Sequence, residues 1–163
     1  GLLKHTDALV RLAAVVADRY GLDRELLCLG AFLHDIGKTV EFTIEPAPDL
    51  SPSGGLLGHI VLGCQMVQEM KAAIPDFPEA DALALLHLLV SHHGQKELGS
   101  PEPPKTPEAM ALHCLDLLDS RLEIFRAVAA PPSDPQPRPR FAEYNPYLGV
   151  RVYLSAPPCE PET

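Results

Sequence analysis

The run Leu26-Leu27-Cys28-Leu29-Gly30-Ala31-Phe32-Leu33 ends directly on His34-Asp35, with Gly37 and Lys38 close behind. A helix built from such a run lies against a core, so it carries an imidazole and a carboxylate to that core's edge. Both groups are costly to desolvate unless something pairs with them. A divalent metal ion is the usual remedy. If it applies here, the chain must fold so that other segments bring further ligands to the same point.

The rest of the sequence supplies helices in sufficient number. Leu2, His5, Leu9, Leu12, Val16 and Tyr20 recur in steps of three and four, the period of an amphipathic helix. Gly21 is placed to stop it and Asp23 to cap the next. That second helix is expected to run to about Ile36. A loop from about Thr39 to Gly55 follows, marked by Pro46, Pro48, Pro52, Gly54 and Gly55. The third helix starts near Leu56, with the stripe His59, Leu62, Gly63, Met66, Val67 and Met70. The fourth, about Glu79–His92, is apolar nearly all round and so central. A second loop spans Gly94–Pro107, and a fifth helix runs from Pro107, well placed at a first helical position, to about Ala129. Pro131–Arg140 is proline-rich, and Val150–Leu154 has the composition of a short strand. The expected architecture is an all-α bundle of five or more helices over residues 1–130, followed by a proline-rich linker and tail over 131–163.

On that skeleton each helix presents a metal-competent side chain at a core-facing position. These are His5, His34 with Asp35, His59, His92 with His93, and Asp116, with Asp119 three residues further on. Any one has an ordinary explanation: a core histidine, a capping group, an exposed acid. Their joint placement points to one or two divalent ions, and mixed imidazole and carboxylate donors suit Mn, Fe, Co, Ni or Zn.

The order His5, His34-Asp35, Asp116, in its helical context, resembles the HD-domain superfamily of metal-dependent phosphohydrolases over about residues 1–129. Added to it, His59 and His92-His93 resemble the subset with two-metal sites. Gly1-Leu2-Leu3-Lys4-His5-Thr6, Gly54-Gly55-Leu56-Leu57-Gly58-His59-Ile60, Ser91-His92-His93-Gly94 and Gly99-Ser100-Pro101-Glu102-Pro103-Pro104 look like the HD domain of the YhaM-type 3′–5′ exoribonucleases. The resemblance implies His5, His34, Asp35 and Asp116 around one metal. It implies His59, His92 and His93 around another, Asp35 bridging, and Lys38 near the substrate phosphate. It assigns no ligand role to His87 or His113, and Asp119 suits a supporting role better than ligation. It further implies an upstream nucleic-acid-binding OB-fold domain, which would make this chain a fragment. The residues after His92-His93 are Gly94-Gln95-Lys96-Glu97, not the Gly-Tyr-Pro of cyclic-dinucleotide phosphodiesterases. The position four before His5 is Gly1, which disfavours a third metal.

Composition narrows the partners. The formal charge is −9 over 163 residues. Such a surface repels a long nucleic acid, because affinity for phosphate polymers needs clustered Lys and Arg. A bound metal pair would reverse the charge locally. No stretch approaches a membrane-spanning length. Cys28, Cys64, Cys114 and Cys159 lack disulfide or CxxC spacing, so a cytoplasmic setting with reduced thiols is expected, three of them in the core. The leading expectation is a hydrolase acting on RNA phosphodiesters through metal-activated water, with Asp35 and Lys38 in catalytic roles and the two loops lining its cleft. A nucleotide or nucleoside-monophosphate phosphatase, a di-iron oxygenase and a non-catalytic nucleotide-binding module remain alternatives. The oligomeric state is open, homo-oligomers included.

Overall fold

The computed structural model describes residues 1–44, 47, 49–131 and 139–154. Pro46, Pro48, Cys159 and most of the proline-rich stretch 131–140 lie outside the described residues. The chain divides into two compact units, Gly1–Leu117 and Leu118–Thr163.

In the first unit the helices are α1 (Leu2–Tyr20), α2 (Arg24–Leu33), a short α3 (Lys38–Glu41), α4 (Pro52–Ala72), α5 (Glu79–Ser91) and the first half of α6 (Pro107–Ala129). The all-α expectation holds. Gly21 ends α1 in the left-handed conformation at φ 67°. The Asp23 side chain accepts from Leu26 N at 2.9 Å to cap α2, and Thr106 Oγ1 caps α6 through Ala109 N. Such caps satisfy amides that have no partner within the helix. No helix among the described residues is long and apolar enough to cross a membrane.

The main core joins Leu9, Ala13 and Ala17 of α1, Leu27 and Ala31 of α2, Leu88 of α5, and Ala109, Leu112 and Leu115 of α6. A second cluster links Leu33, Val67, Leu85 and Leu89. The expected stripe of α1 is corrected here. Small alanines face inward beside Leu9, so α1 and α2 approach closely, while Leu12 and Tyr20 are exposed. The cysteines are corrected too: Cys28 and Cys64 are half-buried and Cys114 is exposed.

Three boundaries differ from expectation. The helix α2 ends at Leu33, and residues 34–37 form a turn held by Ile36 N to Leu33 O and Lys38 N to Asp35 O. The expected loop after Thr39 contains the end of α3 and a two-residue antiparallel pair, β1 (Phe42–Thr43) with β2 (Asp49–Leu50). The helix α4 begins at Pro52, capped by Ser51, rather than near Leu56. It is broken at Gly58, where φ 73° and ψ 162° interrupt the helical backbone.

The break and the turn meet at Gly37. A Cβ on Gly37 would lie 1.9 Å from His59 O and 2.7 Å from Gly63 N. Only glycine permits the turn after α2 to press onto the backbone of α4. In the second unit, β3 (Phe141–Asn145) pairs antiparallel with β4 (Val150–Tyr153) across a bulge between Phe141 and Tyr144. The expected strand is thus one arm of a hairpin.

Gly37→Ala should destabilise the protein by about 1–3 kcal/mol or more, because its clash is with backbone that cannot rotate away. Gly55→Ala, whose Cβ would meet Leu50 Cβ at an ordinary 3.9 Å, should leave stability unchanged or slightly raised. Urea unfolding of the two variants checks the contrast.

Candidate metal centre

Asp35 is buried at 3% exposure, and its two carboxylate oxygens face different ways. Oδ2 lies 3.4 Å from His34 Nε2 and 2.6 Å from Lys38 Nζ. Oδ1 lies 3.5 Å from His59 Nε2 and 3.9 Å from His92 Nε2. On the Oδ2 side, His5 Nε2 is 3.3 Å from His34 Nε2 and 3.1 Å from Asp116 Oδ1. On the Oδ1 side, the donor atoms of His59, His92 and His93 fall within 4.8 Å of one another, as do those of His5, His34 and Asp35. The seven sequence-predicted ligand residues therefore lie together, in two groups that meet at the Asp35 carboxylate.

The helices explain the convergence. His34 and Asp35 leave the end of α2 at the turn that Gly37 presses onto α4. His59 follows the Gly58 break, so the chain restarts its helix facing Asp35. His92 and His93 leave the end of α5, whose Leu88 and Leu89 are fully buried. Asp116 lies one residue past Leu115 on α6, next to the core.

The imidazoles are oriented by their other nitrogens. His34 Nδ1 donates to Ala31 O at 2.9 Å, His92 Nδ1 to Leu89 O at 2.7 Å and His93 Nδ1 to Leu98 O at 2.9 Å. A carbonyl only accepts, so the proton of each neutral ring sits on Nδ1 and the Nε2 lone pair is turned away from that carbonyl. That is the arrangement in which a metal-binding histidine is normally held.

Electrostatics favours the neutral form of His92 and His59 and the ionised form of Asp35 and Asp116. Burial, reinforced by His93 and His34, pushes His92 down to about 3. Burial likewise lowers His59, although Asp35 opposes it. For Asp35 burial acts upward, but the hydrogen bond and charge of His34 with the Lys38 ammonium outweigh it. The carboxyl is held well below the usual carboxylate range. Asp116 is also lowered: burial acts upward, and His5 together with the charges of His34 and His92 overcomes it. Neutral imidazoles and ionised carboxylates are the forms that bind metal.

Among the described residues, the buried side-chain polar atoms with no hydrogen-bond partner are Asp35 Oδ1, His59 Nε2 and His92 Nε2. Leaving such an atom unmade costs about 1–3 kcal/mol, yet these three point at one another. The donor set and its orphaned atoms fit a divalent cation.

Two supporting residues were given no role by the sequence pattern. Glu41 is buried at the end of α3, and its Oε1 accepts from His59 N at 3.0 Å. His113 Nδ1 donates to His92 O at 2.9 Å, and its ring fills the space where a Gly94 Cβ would sit, 2.3 Å from His113 Cε1. His87 Nε2 accepts from Lys105 N. The sequence signals were an acid four residues after Gly37 and a histidine three residues before Asp116. The second loop is pinned by these bonds and by Ser100 Oγ, which accepts from His93 N.

The HD domain family model matches residues 2–121, and the chain belongs to that family. It is 40% identical over 128 residues to the 3′-5′ exoribonuclease YhaM of Bacillus subtilis, covering 77% of this chain and 40% of that protein. It is 38% identical over 129 residues to the YhaM exoribonuclease of Listeria monocytogenes, covering 78% and 41%. The chain thus spans about two fifths of the length of these curated relatives. The crystal structure of the L. monocytogenes phosphodiesterase PgpH HD domain superposes with a TM-score of 0.52 at 21% identity, covering 83% of this chain and 70% of that one. That likeness establishes the shared fold.

The shifts at the centre fix the sign of a pH dependence. Each of His92, His59, Asp35 and Asp116 binds its proton more weakly in the folded chain than its ordinary value, so the unfolded chain takes up more protons as pH falls. Stability of the metal-stripped protein should be full above about pH 6.5, the ordinary value for histidine, and decline as the pH drops toward 3. Thermal unfolding across that window should show the decline, with a shallower slope for His92→Gln.

Proposed function

We propose that the chain is the catalytic module of a metal-dependent phosphodiesterase that acts on single-stranded RNA as a 3′–5′ exoribonuclease. The observation that carries the reading is the trio of orphaned buried atoms, Asp35 Oδ1, His59 Nε2 and His92 Nε2, facing one another beside a second group of donors. Membership of the HD family and the 40% identity to an exoribonuclease support the choice of reaction.

In this reading His5, His34, Asp35 and Asp116 would hold one ion, and His59, His92 and His93, with Asp35 shared, would hold another. Such ions, when bound, supply water of lowered pKa and positive charge beside the phosphoryl oxygens. The protein's own contribution is a frame. The Nδ1 hydrogen bonds and the Gly37 contact fix the donors before substrate arrives, so little reorganisation accompanies the reaction. Lys38 is half-exposed beside Asp35 Oδ2. From there its ammonium could reach a phosphate oxygen of a bound substrate and orient the scissile group. The acidic remainder of the surface leaves polymer capture to the longer protein of which the relatives are examples.

Purified protein should contain divalent metal, and Asp35→Ala should lose it; equal metal in both proteins would sink the reading. With metal present, bis-p-nitrophenyl phosphate and short single-stranded RNA should both be cleaved, and a mononucleotide hydrolysed in their place would reassign the substrate. Chelation should abolish turnover and re-addition restore it. Lys38→Met should retain metal while lowering kcat by roughly 10²–10³-fold, the scale for loss of one charge-stabilising donor.

A further inference from the structure

We infer that Glu41 is a positioning residue for the Oδ1 half of the centre, fixing both the backbone and the ring tautomer of His59. The inference rests on the metal reading above but adds a residue that the ligand pattern does not contain.

His59 is the first residue after the Gly58 break, so its amide has no partner within the helix that restarts there. Glu41 Oε1 accepts that amide at 3.0 Å. A carboxylate at a helix N-terminus is also favoured by the helix dipole. The cap comes from 18 residues away in sequence, so it ties α3 to α4 where Gly37 already brings them together. The Glu41 backbone is held in turn: its carbonyl accepts from Ser51 N at 2.9 Å. A Cβ on Gly54 would lie 2.1 Å from that same oxygen.

The same Oε1 stands 3.4 Å from His59 Nδ1, while Asp35 Oδ1 stands 3.5 Å from His59 Nε2. The neutral ring has one proton for two carboxylates. If Asp35 took it, Nε2 would be a donor and useless as a ligand. Asp35 already has Lys38 and His34 on its other oxygen, whereas Glu41 has no other side-chain cation within ion-pair distance among the described contacts. Glu41 therefore claims the proton at Nδ1, and the Nε2 lone pair is left facing the centre with Asp35 Oδ1. His34, His92 and His93 use carbonyls for this purpose; His59, displaced from a regular helix by Gly58, uses a carboxylate.

The test uses Co(II) as probe, with Glu41→Gln, Glu41→Ala and a His59→Ala reference that marks which equivalent of metal belongs to His59. Competition titrations against a chromophoric chelator should show Glu41→Ala weakening that equivalent by about 10–100-fold, with the other equivalent within twofold. Glu41→Gln keeps an oxygen for the His59 amide, so it should retain the wild-type melting temperature yet weaken the same equivalent and shift the Co(II) visible bands. Nitrogen NMR of the metal-free protein should find His59 protonated on Nδ1 in the wild type and mixed in both variants. Wild-type affinity in both variants, equal weakening of both equivalents, or an Nε2-protonated His59 in the wild type would each overturn the proposal. A wild-type chain with the expected tautomer but no metal affinity would instead overturn the metal reading.

Discussion

The buried carboxylate of Asp35 is the constraint around which the first unit is arranged. Its two oxygens are stabilised in different ways. Oδ2 has a lysine and a histidine, and the charge there is compensated within the protein. Oδ1 has only imidazole nitrogens in reach, and it is left without a hydrogen bond. A buried carboxylate oxygen left without a partner is costly even when the other oxygen is paired. The helices solve this by ending, or breaking, at the points where a histidine is needed. The core clusters do the opposite work, locking α1, α2, α5 and α6 with small and branched apolar residues so that those ends stay where they are.

The connecting segments share in this. The short α3 supplies the cap of His59 through Glu41, its last residue. The 3₁₀ turn Lys96–Leu98 gives His93 its carbonyl, and Ser100 holds the His93 amide. His113 reaches from α6 to the carbonyl of His92 and so links the helix bearing Asp116 to the paired histidines. His34, His59, His92 and His93 are thus held from behind, and the cost of ordering them is met in folding.

Much of this was legible in the sequence. The extents of α1, α5 and α6 follow, to within a residue, from apolar period and from Gly21 and Pro107. The seven positions singled out by the HD pattern are ones that the fold brings close together. What escaped is what depends on contact between distant backbones. The apolar period of α2 continues past Leu33, and only the approach of Gly37 to α4 explains why the helix tightens into a turn there. Nothing near Glu41 marks it as a partner of His59, because the pairing exists only after α3 meets the Gly58 break. The start of α4 was hidden by glycines that read as loop, and β3 by a bulge that spoils its alternation. Local pattern reports what a segment prefers, and these features are decided by what the segment touches.

The contact at Gly37 has a bearing on how such a centre adapts. Two stretches of main chain touch there with no side chain between them, one leading to Asp35 and the other carrying His59. The gap between the halves is consequently set by direct contact of main chain on main chain, leaving no side chain through which a methyl group could tune it. Ions of different radius would have to be accommodated by rotation of rings and carboxylate about a separation that the chain itself holds constant.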